Sequence, residues 1–234
     1  MDKYFICLAN SYKHKGRCIG GIELIMENGV PKRIAHGKFG KRILPVWVRP
    51  ICHDTDAIPN NEALLVSPLD IIKLVEVTEC PTNAQYENCY YSAMEVVGRY
   101  DDGSKLQDLL SRISNFYNKY WLFGNKGKAV HPDKYAELDH SLILIKPTNA
   151  RFKLEPRPGS DVLRLRVEFQ LQDFKNEITT YDLPVTDPVF CHTFQDDLAQ
   201  ANSYGDYYFT VSLGVEHDGW HSKLVAQVFY FNPI

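Results

Sequence analysis

The chain has 234 residues, 44% of them hydrophobic, with a formal charge of −3. That is enough apolar material for one large β-domain or two ordinary ones, which excludes a disordered chain. No run of about eighteen apolar residues occurs, so a transmembrane helix is excluded as well.

The opening segment is apolar for too few residues to read as a secretory signal, so the expected location is cytoplasmic. In that compartment the six cysteines read as reduced thiols; none forms a CxxC pair, and their spacing resembles no zinc framework. The small net charge hides a segregation. Successive blocks 1–53, 54–102, 103–171 and 172–234 carry +7, −8, +5 and −7. Such alternation predicts a basic face and an acidic face, or two charge-paired modules.

In chain order, "YFICLA" and "CIGGIELIM" read as two strands, with Gly20 and Gly21 marking a bulge or bend. "ENGVPK" holds an Asn-Gly turn. In "ILPVWVRPI", Pro45 and Pro50 confine strand structure to an edge or to strand ends. "LDIIKLVEV" is a further strand. The spacing of Leu106, Leu109, Leu110, Ile113, Phe116, Tyr117 and Tyr120 predicts one long helix over 104–124, capped by Ser104 and closed by Gly124, its stripe packed in a core. "KGKAVHPDKYAELDH" has no clean period and reads as a linker.

β-structure then resumes. In "VLRLRVEFQL" the residues Leu163, Leu165, Val167, Phe169 and Leu171 face one way, and Arg164, Arg166, Glu168 and Gln170 the other. "NEITTYDLPV" is its hairpin partner, and a second hairpin turns at Asp218-Gly219. The expected fold is mostly β with a minor helical part: an N-terminal domain over 1–102, helix and linker over 103–140, and a C-terminal domain over 141–234.

The first basic block carries the candidate site. Lys13, His14, Lys15 and Arg17 precede Lys38, Phe39, Lys41 and Arg42, with Trp47 and Arg49 just beyond. A polyanion binder needs cations to displace condensed counterions and aromatic faces on which bases stack; Phe39 and Trp47 are the stacking candidates. Gly20 and Gly21 would let backbone approach a phosphate. Arg151, Lys153, Arg164 and Arg166 form a weaker second patch. Neither GxGxxG nor a phosphate loop appears, and "GRCIGG" and "KFGKR" supply neither. His217 and His221 flank a turn rather than sharing a helix, Asp187 reads as a local cap, and no GxSxG elbow or carboxylate pair is visible. The composition therefore points to no enzyme, no metal and no cofactor.

"FICLANSYKHKGRCIGGIEL", "WVRPI", "DIIKLVEV", "YDLPVTDP" and "SLGVEHDGWHSKLVAQVF" resemble the bacterial dual OB-containing domain family. The resemblance implies two OB-like small β-barrels with the long helix near their boundary, and nucleic-acid recognition in prokaryotic defence against phage or mobile DNA. The expected ligand is single-stranded or distorted DNA or RNA. The alternatives are an adaptor that docks protein partners of a defence complex through its segregated charge, and a nuclease or nucleotide-processing enzyme.

Overall fold

The structure, a computed structural model, describes all residues except 82–84, 119, 136, 158 and 233–234. It divides into two compact units: Met1–Leu109 with Asp139–Ser141, and Leu110–Leu138 with Leu142–Ile234.

The first unit is built on an antiparallel pair, β1 (Lys3–Lys13) and β2 (Gly16–Glu27). The register shifts between Cys7 and Ala9, opposite Gly21 and Gly20, so the bulge belongs to β1. Glycine is required on the facing strand, because a Cβ on Gly21 would lie 1.9 Å from the Ile6 carbonyl oxygen. The Asn28–Gly29 turn, both residues at positive φ, leads into β3 (Val30–Ile34). A separate two-stranded hairpin follows, β4 (His36–Phe39) with β5 (Arg42–Pro45), and then β6 (Trp47–Pro50). Both prolines end strands, and β6 lies inside the sheet.

A one-turn helix α1 (Asn60–Ala63) precedes β7 (Asp70–Val75), β8 (Thr78–Glu79), β9 (Asn88–Tyr90) and β10 (Ala93–Arg99). The sheet order is β10-β7-β1-β2-β6-β9-β8, with β3 also on β2, and β6 with β9 is its parallel pair. Alternate residues of β1 and β7, Phe5, Cys7, Ile72 and Leu74, enter a core shared with Ile19, Val48, Ile58 and Cys89. Apolar burial there pushes the Cys7 thiol up to about 12, as expected of a cysteine acting as a small core residue.

Helix α2 (Gly103–Ser114) contains the division between the units. It is shorter than its aromatic period predicts. Asn118 instead accepts the Lys146 amide at 2.9 Å, and Phe123 takes the left-handed conformation at φ 50°, so side-chain demands break the periodic stretch into turns. Ser104 bonds the Asp102 carboxylate at 2.6 Å instead of capping an amide. The expected linker also carries regular structure, β11 (Ala129–Val130) and α3 (Pro132–Tyr135).

The second unit continues with β12 (Leu142–Ile145), β13 (Thr148–Pro156), β14 (Leu163–Gln172) and β15 (Ile178–Pro184). Helices α4 (Pro188–Phe194) and α5 (Leu198–Ala201) lead to the long hairpin β16 (Asp206–His217) and β17 (Trp220–Phe231), turned by Asp218-Gly219. Its sheets run β11-β17-β16-β12 and β13-β14-β15, bridged at Val185 and Val225. Phe152, Phe169 and Phe209 pack between them, with Phe169 and Phe209 edge-to-face at 5.3 Å. Strand β14 keeps the predicted alternation at Leu165, Val167, Phe169 and Leu171. It departs from it at two places: Leu163 is exposed and Arg166 is buried. Asp187 is the N-cap of α4, accepting from the Val189 and Phe190 amides at 3.0 Å.

Candidate nucleic-acid interface

The β1–β2 turn gathers Tyr12, Lys13, His14, Lys15 and Arg17 at one hairpin tip. His14 and Lys15 are exposed. The tip is pinned from below: Arg17 exchanges backbone hydrogen bonds with Ile58 at 2.9 Å in both directions. A Cβ on Gly16 would sit 2.3 Å from the Ile58 carbonyl oxygen. The Arg17 guanidinium lies over the Tyr12 ring, 4.4 Å from its centroid, and that ring is 56% exposed. An open cation–aromatic pair of this kind offers a phosphate a charge and a base a flat face.

Lys15 holds φ at 68°, where a lysine costs about 1 kcal/mol more than glycine would. Lys13 donates to the Asp56 carbonyl oxygen. Burial lowers the Lys13 pKa. The neighbouring loop adds a second flat surface, the exposed His53 ring stacked on Tyr90 at 3.7 Å and 16°. Its Asp54 and Asp56 supply the carboxylates nearest in sequence.

The β4–β5 hairpin carries the second cluster. Lys38 and Lys41 are exposed, Phe39 and Arg42 half-buried, and Arg42 pairs with Asp139 at 3.6 Å. Next to that pair, His140 is held down to about 4, by burial first and by Arg42 second. The hairpin is rooted at Glu23, through the backbone bonds Ala35 N–H to Glu23 and Glu23 N–H to Val46. Seven strand residues, roughly 23 Å, separate this root from the Gly16 end of β2. The two basic clusters are therefore two hairpins rooted at different points of β2.

Trp47 and Arg49 do not belong to the surface. Trp47 is 5% exposed and Arg49 1%, with the Arg49 guanidinium 3.4 Å from the Glu87 carboxylate, so neither ring nor charge faces solvent. A central position in the sheet, between β2 and β9, buries both. Gly20 and Gly21 are likewise buried in β2 and serve strand packing, with no role at a phosphate. Of the later basic patch, Lys153 and Arg166 are matched by carboxylates within their own sheet. Lys153 meets Glu155 at 2.8 Å and Asp182 at 3.1 Å, and Arg166 meets the same two carboxylates at 3.1 and 2.8 Å. His217 and His221 are separated by environment: the first is exposed, while the second is buried and stacked on Tyr135 at 3.6 Å.

Tyr12, His53 and Tyr90 are the aromatic residues that the sequence reading missed. Tyr12 abuts the basic run in "SYKHKGR", a visible signal, whereas the pairing of His53 with Tyr90 across 37 positions had none.

Two β-sheet units, the first displaying a cationic hairpin with an open aromatic face, define a β-rich protein. The dual OB-containing domain model matches residues 3–228, and the chain belongs to that family. No curated protein matches it in sequence. Among solved structures, a deletion mutant of the single-stranded DNA binding protein from Thermus aquaticus aligns over 100% of this chain and 94% of its own, at 8% identity and a TM-score of 0.25.

Proposed function

We propose that this chain is a nucleic-acid-binding module that grips single-stranded or distorted DNA or RNA through the β1–β2 tip. The β4–β5 hairpin is a second backbone contact. The observation that carries this reading is the tip itself: Lys15 held in a left-handed turn beside Arg17 stacked on an exposed Tyr12. Membership of a family defined by OB domains supports it, since loops and one sheet face of such barrels take up oligonucleotides. Cations replace phosphate counterions, and Tyr12 and the His53–Tyr90 stack receive bases without reading sequence.

The test is a salt titration with labelled single strands. Affinity falls linearly on a log–log plot, with a slope of about −0.7 per phosphate contacted. Replacing Lys13, Lys15 and Arg17 by glutamate shallows that slope and weakens binding at least about tenfold. A slope of zero in the parent protein overturns the reading. In this proposal the module binds without turning over its ligand, so end-labelled DNA and RNA stay intact with magnesium or manganese; cleavage would make it an enzyme. Its setting in prokaryotic defence is part of the same proposal, and phage plaque counts with and without the gene test it.

A further inference from the structure

A second surface, confined to the second unit, has the parts of a stacking platform and is absent from the reading above. The stretch "YWLFGNKGK", residues 120–128, holds two lysines and no carboxylate. Tyr120 and Trp121 stand 45% and 40% exposed, against the ordinary fate of such rings in a core. Phe174, at the tip of the β14–β15 hairpin, is 65% exposed and meets Tyr120 with ring centroids 6.4 Å apart. Lysines rim these rings: the Lys126 ammonium is 4.9 Å from the Trp121 centroid, and the Lys175 ammonium 5.7 Å from that of Phe174.

Both segments are rigidly held from beneath. The buried Lys223 ammonium donates to the Asn125 carbonyl and side-chain oxygens at 2.9 and 2.8 Å. The Tyr181 hydroxyl accepts the Leu122 amide at 3.1 Å and donates to the Asn125 carbonyl at 3.2 Å. Phe123 and Gly124 run through positive φ to turn Trp121 outward, a conformation that persists only where neighbours over-determine it. The facing turn is fixed by Asp173, whose carboxylate accepts the Lys175 and Glu177 amides at 2.7 and 2.9 Å. Pinned loops that hold three large rings in solvent are pre-organised for a flat ligand.

We propose that Tyr120, Trp121 and Phe174 form a base-stacking site for single-stranded nucleic acid, with Lys126 and Lys175 on the phosphates. The choice of occupant rests on the cation rim, and on the nucleic-acid reading for the class of ligand. Lys126 is engaged by Glu177 at 3.2 Å, an exposed pair that a phosphate readily replaces.

The test uses the full chain and a fluorescein-labelled thymidine oligonucleotide of about 20 nucleotides, long enough to cover more than one site. The double variant Trp121→Ala with Phe174→Ala weakens binding about tenfold or more, while Trp121→Phe with Phe174→Tyr restores it to within about threefold, because flat faces are retained. Ultraviolet cross-linking of a bromouracil oligonucleotide labels a peptide spanning 120–126. Circular dichroism identifies any variant that fails to fold, and the ring-retaining pair then decides by cross-linking alone. Parent binding that the alanine pair leaves unchanged, with no cross-link there, overturns the platform yet leaves the β1–β2 tip standing. No parent binding at low salt overturns both. Self-association that the alanine pair abolishes, with oligonucleotide affinity intact, would assign the rings to a protein contact and overturn the proposal.

Discussion

Among the described residues, the most deeply buried long cations of the two units, Arg49 in the first and Lys223 in the second, are satisfied in opposite ways. Arg49, within the first unit's sheet, faces the Glu87 carboxylate at 3.4 Å. Lys223, on β17, meets amide oxygens of Asn125 and, among the described residues, no carboxylate, and burial drops its pKa to about 7. The difference follows from the side chains. A guanidinium cannot shed its proton in a protein, so its burial demands a counter-charge. An ammonium can, so neutral acceptors suffice once the amine is half-deprotonated. The remaining cations divide in a similar way: those of the β1–β2 tip sit on a turn, whereas half-buried Lys153 and buried Arg166 are matched by Glu155 and Asp182.

The largest expected effect comes from removing the partner of the non-titrating cation. Glu87→Ala strands Arg49 in the core and also loses the acceptor for the Ser141 hydroxyl and amide. Chemical unfolding followed by circular dichroism shows the first unit destabilised by about 3–5 kcal/mol. A loss under about 1 kcal/mol would mean that Arg49 does not depend on that carboxylate.

Lys223 predicts a pH dependence instead. Its folded pKa lies near 7 and its unfolded pKa near 10.4, so between these values the unfolded chain holds the extra proton. This contribution is fully present above about pH 10 and is lost as pH falls toward 7, by roughly 2–4 kcal/mol in all. The raised thiols of Cys7, Cys89 and Cys191 work in the opposite direction above about pH 8.5, so the parent curve mixes them with the lysine. The difference between parent and Lys223→Met isolates the lysine. It should shrink steadily from pH 7 to pH 10 in the methionine variant's favour at the acid end; a constant offset would contradict the assignment.

Asp182→Asn erodes the contrast between the tip cations and this carboxylate-matched pair. It removes a carboxylate shared by Lys153 and Arg166, with a cost of about 1–2 kcal/mol, and raises the formal charge of strands β13–β15 from +1 to +2. Salt-sensitive retention on a phosphocellulose column should rise. Unchanged retention would show that Glu155 and Glu168 suffice to neutralise both cations. The smallest effect belongs to the tip. Lys15→Gly relieves the left-handed lysine, so stability holds or gains up to about 1 kcal/mol while oligonucleotide affinity drops about two- to threefold. A stability loss would show that Lys15 serves the fold and not the ligand.

Much of the local structure was legible in the chain. Asn28-Gly29 and Asp218-Gly219 announce their turns because two successive positive φ angles favour those residue types. The alternation in "LRVEFQL" fixes the buried face of β14. The clustering of Lys13, Lys15 and Arg17 at one place was legible too, since a hairpin turn brings sequence neighbours together without help from the rest of the fold. Trp47 was misread because a four-residue strand looks alike at an edge or in mid-sheet, and only its pairing partners distinguish the two. The helix was overextended because an aromatic period reports apolar spacing and says nothing of Asn118 and Phe123 being drawn into other bonds and conformations.

The sequence by itself determined the β character, the turns and the hairpin that carries the first basic cluster, because these depend on residues within a few positions of one another. Tertiary structure alone decided which cations keep their charge in solvent. Asp182 reaches Lys153 across 29 positions and Lys223 reaches Asn125 across 98. The energy of a charge depends on what surrounds it in space, and a one-dimensional charge count cannot contain that.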